Sequence, residues 1–314
     1  MKHPLTTTVL LLALFLATQF IGLALVATVM PVTSTDDGTV VVEAPDTALG
    51  PPPETTATGG LLMILLGVTL GTVLILLLVK FKRFGLWKVW FFLAASLTMT
   101  VSFGVILGPR YYLLAGIIGF VLGGLKTWRP RPGVHNFTEL FIYPGITILF
   151  YHILSVPVML VLLALISVYD VIAVLRSKHM VSMAKFMTES QVFAGLAVPR
   201  ELKMPTKKAS TATGKLPKAS ALPQTQKRST AILGGGDVAF PLLFAAVVMK
   251  ELVAGGVTKL AAFGFASIIS VFALGGLALL FFTAEKHKFY PAMPAVSAGC
   301  VIGWFIILIL QVII

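Results

Sequence analysis

The sequence predicts an all-α polytopic membrane protein of nine transmembrane helices, with its N-terminus cytoplasmic and its C-terminus outside. Three observations carry that expectation. Of the 314 residues, 57% are hydrophobic and only 11% charged, with a mean hydropathy of +0.97, whereas soluble domains give about a quarter of their residues to Asp, Glu, Lys and Arg. Nine apolar runs are long enough, or nearly so, to cross a bilayer. Lys and Arg gather in alternate connections between those runs.

The runs fall at about 9–30, 61–79, 89–107, 111–125, 139–154, 157–175, 230–249, 261–282 and 291–312. The fourth and fifth are short or weakly bounded. The first follows a short MKH segment without a small-residue cleavage site, so it reads as a retained helix. The connection 31–60 has no Lys or Arg but carries Asp36, Asp37, Glu43, Asp46 and Glu54; the next holds Lys80, Lys82, Arg83 and Lys88. Arg110 stands alone in the third, and Lys126, Arg129 and Arg131 follow. The segment 176–229 carries 11 of the 24 basic residues. That alternation sets the orientation, and the location of the +12 net charge points to a membrane surface rather than to nucleic acid.

Two parts follow: helices 1–5 over residues 1–155 with the external loop 31–60, and helices 6–9 over residues 156–314 with the cytoplasmic loop 176–229. Loop 31–60 is rich in Pro, Gly and Thr, and reads as loosely ordered around one VVV run able to form a strand. In 176–229, SKHMVSMAKFMTESQVFAGL reads as an amphipathic helix lying on the membrane, and KKASTATGKLPKASALPQTQKRS as a flexible linker. The single cysteine, Cys300, excludes an internal disulfide framework and a cysteine-based metal cluster.

Two acidic residues lie well inside apolar runs, Asp170 in the sixth and Asp237 in the seventh; Glu139 stands at the edge of the fifth, where water is close. A carboxylate at the centre of a membrane helix costs roughly 2.5 to 3.5 kcal/mol on insertion scales, so each needs a partner or a function. Asp170 is some five residues from the cytoplasmic end of its run and Asp237 about seven from the start of its own. At 1.5 Å per residue both lie roughly 8 to 10 Å below the cytoplasmic boundary, and antiparallel neighbours would bring them face to face. Two close carboxylates share a proton, so one can act as a general base on water while the other polarises a carbonyl. On the residues alone, hydrolysis, a proton or cation path and a structural polar contact all stay open.

Gly234, Gly235 and Gly236 precede Asp237 and permit close approach of a neighbouring helix or a substrate backbone. Pro241, four residues beyond, has no N–H to bond the Asp237 carbonyl. Tyr169, beside Asp170, is placed to close over the site or to donate a hydrogen bond. The ninth run opens with KFYPAMPAVSAG, in which Pro291 and Pro294 delay the helix until after them. Irregular backbone there must be buried or line a wet cavity, and it offers peptide groups to an extended substrate. The histidines lack ligand spacing around the aspartates: His135, His179 and His287 read as interfacial residues near the cytoplasm, and His152 lies near the opposite face. No metal or other cofactor is expected.

SVYD at 167–170, GGGD at 234–237 and PAMP at 291–294 together resemble the presenilin and signal peptide peptidase family of intramembrane aspartyl proteases, and among them the archaeal homologues. The resemblance implies that Asp170 and Asp237 are the catalytic pair, with Gly234 and Gly236 as the glycines of the GxGD motif. Pro291, Ala292 and Met293 fall on the family's Pro-Ala-Leu motif, Met293 replacing the leucine, and Gly235 occupies the variable position. It further implies an aspartic endopeptidase in the cell membrane, its site near the cytoplasmic side, acting on transmembrane helical substrates. Accessory subunits belong to the family's eukaryotic branch, so none is required here, and oligomeric state is left open. The competing reading, a proton- or cation-translocating protein using the same pair, lacks an internal repeat or deep charges elsewhere.

Overall fold

The computed structural model describes residues 5–34, 39–51, 55–81, 83–175, 192–199, 230–284 and 290–313. The described residues form nine long helices: α1 (Leu5–Val29), α2 (Ala57–Lys80), α3 (Phe84–Leu107), α4 (Tyr112–Trp128), α5 (Pro132–Phe150), α6 (Val156–Leu175), α7 (Gly235–Ala254), α8 (Lys259–Thr283) and α9 (Met293–Ile313). Seven of them are long and apolar enough to cross a membrane. The other two, α5 and α7, carry His135 and Glu139, and Asp237, Lys250 and Glu251.

Two small antiparallel sheets complete the described fold. β1 (Val32–Ser34) pairs with β2 (Val40–Val42), so the VVV run does form a strand. β3 (Gly195–Pro199) pairs with β4 (Thr230–Gly234), placing Gly195 opposite Gly234 and Ala197 opposite Ile232. The segment read as an amphipathic helix therefore ends in a strand; its residues 177–191 and the linker lie outside the described residues.

Three of the boundaries that differ from the sequence expectation bear on the site. The seventh helix starts at Gly235 rather than Thr230, because a run of glycines is a poor helix start and Ala231, Ile232 and Leu233 are taken up by the strand ladder. The ninth helix starts at Met293, with Pro294 inside its first turn; the N–H that proline lacks has no intrahelical partner there in any case. The fifth starts at Pro132 rather than 139. Glu139 is consequently in the body of α5 and 0% exposed, not at a wet edge, and His135 is buried rather than interfacial. Both are tolerated because each has a partner inside the protein.

α7 is the centre of the bundle. Leu242, Phe244, Ala245, Ala246, Val247 and Met249 are fully buried, and the helix packs against α1, α5, α6, α8 and α9. α2 is the opposite case, with nearly all of its surface outside the bundle. The α8–α9 pair approaches backbone to backbone: a Cβ at Gly276 would overlap the Ala295 carbonyl, and one at Gly299 the Phe272 carbonyl. Close packing of this kind supplies helix association where lipid removes the hydrophobic drive. α6, α7 and α9 are mutual neighbours, which sets the stage for the two aspartates.

Candidate active site

α6 carries Asp170 five residues before its last residue, and α7 carries Asp237 in its first turn. Their charges lie close enough to interact. Each carboxylate lies at a helix start. The Met293 N–H, at the start of α9, donates to Asp170 Oδ2 at 3.1 Å. Asp237 lies beside Gly234, the extended N-cap of its own helix. Helix N-termini offer unpaired donors and the positive end of the helix dipole, so negative charge is accommodated there. One turn from Asp170, Ser167 Oγ donates to Ser297 Oγ at 2.9 Å and ties α6 to α9 a second time.

The glycines differ in what they do. A Cβ on Gly234 would stand 3.0 Å from Asp237 Oδ2, and one on Gly235 would stand 2.9 Å from the Tyr143 hydroxyl. A Cβ on Gly236 would make only ordinary contact with the Phe240 ring. Space is therefore needed at the first two positions. Pro241 is buried in α7, and the carbonyl next to the one it frees is met from α1: Gln19 Nε2 donates to the Val238 carbonyl at 2.9 Å. Ser270 Oγ lies 3.4 Å from Gln19 Oε1.

Of the residues singled out in the sequence, Asp170, Asp237, Gly234, Gly235, Met293 and its neighbour Ala292 come together. Pro291 and Pro294 flank that contact, half-buried at the head of α9. Tyr169 does not join it: it is 51% exposed and forms no hydrogen bond with either aspartate. No three His, Cys, Asp or Glu side chains converge as a metal site among the described residues.

Sequence reasoning missed Gln19, Tyr143 and a buried polar cluster on α4 and α5. Lys126 Nζ donates to Glu139 Oε1 at 2.6 Å and lies 3.1 Å from His135 Nδ1. His135, Glu139 and Tyr143 recur every four residues along α5, and that one-face spacing was the available signal. Gln19, a lone amide in an apolar run, was the other.

A membrane-embedded aspartic endopeptidase is the class that the family comparison assigns to this chain. The family described as signal-peptide peptidase, presenilin aspartyl protease matches residues 12–313, so the chain belongs to that family. Two solved structures of a presenilin family intramembrane aspartate protease share its fold. The first, in a C222 crystal form, superposes with a TM-score of 0.58 at 18% identity, covering 96% of this chain and 99% of the other. The second, in a P2 form, gives 0.54 at 19% identity with 96% of each chain covered. No curated protein sequence matches significantly.

Proposed function

We propose that Asp170 and Asp237 are the catalytic pair and that they hydrolyse peptide bonds of substrate transmembrane helices by activating a water molecule directly. The observation that carries this reading is the placement of the two aspartates on packed helices, Asp170 held by the head of α9 and Asp237 in the first turn of α7, within reach of each other's charge. With one proton between them, the ionised carboxylate removes a proton from water as its oxygen attacks the scissile carbonyl carbon. The protonated carboxyl donates to the carbonyl oxygen. The tetrahedral intermediate then collapses, the C–N bond breaks, and the amine leaves with a proton returned from the pair.

A substrate helix shields its own carbonyls, so it must unwind before attack. Gly234, Gly235 and Gly236 leave room for its backbone beside Asp237. Pro291 to Pro294 fix the α9 entrance that holds Asp170, and Pro241 lies one turn beyond the acid, where it withholds an N–H from the Asp237 carbonyl. β4 has β3 on one side only in the described sheet, and its other edge suits an unwound substrate strand. We read all nine helices as spans, N-terminus cytoplasmic, with the aspartate end toward the cytoplasm and the protein in the cell membrane. The shared end of α5, α7, α9 and the β3–β4 sheet supports a single wet face for the chemistry.

The test is cleavage of a defined single-span substrate in liposomes, with products identified by mass. Wild type should give two fragments, and Asp170→Ala and Asp237→Ala none. Continued cleavage by both variants would overturn the assignment.

A further inference from the structure

The cluster on α4 and α5 is buried, charged and outside the chemistry described above. Lys126 is 2% exposed, Glu139 0% and Tyr143 2%. The α5 face bearing them runs toward the Asp237 segment by two routes. In the first, His135 Nε2 donates to the Gly195 carbonyl at 2.7 Å. A carbonyl can only accept, so the proton is on Nε2 and Nδ1 accepts from the Lys126 ammonium. One residue on, Asn136 bonds both backbone groups of Ala197, at 2.7 and 2.9 Å. α5 thereby reads β3 at alternate residues, and Gly195 pairs with Gly234, the N-cap of α7. Gly195 has φ +145°, and a Cβ there would overlap the Leu233 carbonyl, so the pairing admits no side chain at that point.

The second route is direct. The Tyr143 hydroxyl lies against Gly235 and within the fields of Glu139 and Asp237. Neither it nor Glu139 Oε2 has another close partner among the described residues, and the two lie near enough to interact with each other. A hydroxyl with Glu139 on one side and Gly235 on the other links the α5 cluster to the first turn of α7. We infer that Glu139 and Tyr143 are positioning residues for Asp237, with Lys126 and His135 holding their face of α5 against β3.

The inference rests on the proteolytic reading, so its test has one readout that needs no cleavage. Lys126→Met alone or Glu139→Gln alone leaves a buried group uncompensated and is expected to destabilise the fold. The informative variants are the charge-free double K126M/E139M, which removes both charges at once, and Tyr143→Phe, which removes one oxygen. If the pair merely joins α4 to α5, the double variant regains both stability and activity. As positioning residues, both variants should unfold at or above the wild-type temperature, yet lose about tenfold in kcat with KM within about twofold. Amide exchange over 230–240, read by mass spectrometry, should quicken in the double variant. Wild-type kcat together with wild-type exchange in the double variant would overturn the inference. Quickened exchange in a protein whose wild type cleaves nothing would instead overturn the proteolytic reading and uphold the coupling of α5 to Asp237.

Discussion

The two ends of the bundle handle charge in opposite ways. At the end away from the aspartates, charged side chains satisfy backbone. Lys250 Nζ donates to the His152 and Leu154 carbonyls at 3.2 and 2.5 Å, and Lys259 Nζ to the Met30 carbonyl at 2.6 Å. Glu251 Oε1 accepts from the Val156 N–H at 2.7 Å. Each of these closes a helix end that would otherwise leave orphan groups. At the aspartate end backbone satisfies charge: the Met293 N–H donates to Asp170, and Asp237 sits in the first turn of α7 beside Gly234. Side chains that serve backbone stabilise the fold. In the proposed mechanism, carboxylates held by backbone keep their remaining oxygens for a reactant.

That contrast predicts activity losses at the aspartate end, and stability losses with activity intact at the other. Beyond the two aspartates themselves, the largest expected effect is at Gly234. Gly234→Ala sets a methyl 3.0 Å from Asp237 Oδ2 and should lower kcat by about 10- to 100-fold, a misplacement effect, while the unfolding temperature changes little. Gln19→Leu comes next: the Val238 carbonyl beside Pro241 loses its side-chain donor, at about 1–3 kcal/mol. Denaturation in detergent should report that cost, with kcat falling alongside because Asp237 is the adjacent residue.

Glu251→Gln sharpens the comparison from the far end. It weakens a charge-assisted bond to Val156 N–H, so the unfolding temperature should drop, by about 1 kcal/mol in stability, while kcat and KM hold. The smallest effect concerns His152, in the turn between α5 and α6. Burial first, and the Lys250 charge second, push its imidazole below the ordinary 6.5. The folded protein thus binds this proton less readily than the unfolded chain, so stability rises with pH through that window. It should be present above about pH 6.5 and be lost on acidification below it. In His152→Gln the same acid titration of the unfolding temperature should flatten. A pH-independent wild type would contradict this.

The helices and both aspartates were legible because hydropathy and charge alternation depend on the local chain and the solvent around it. Sequence motifs carried Gly234, Met293 and their neighbours for the same reason: short spacings on single segments. The β3–β4 pairing was not legible. Ala231, Ile232 and Leu233 are as apolar as a helix start, and their strand conformation depends on Gly195, some forty residues away in the chain. Glu139 was misplaced because a carboxylate at the edge of an apolar run ordinarily marks water. Its burial depends on Lys126 from another helix. Pro294 misled in the same manner: it forbids helix interiors, not first turns.

Direct activation of water by Asp170 and Asp237 is tested most closely by a single turnover in ¹⁸O-labelled water. One labelled oxygen should appear in the new carboxylate of the substrate fragment, with Asp170 and Asp237 unlabelled when the protease itself is digested and weighed. Label in either aspartate would mean that a carboxylate had attacked the substrate and formed an acyl-enzyme, and the water-activating account would be wrong.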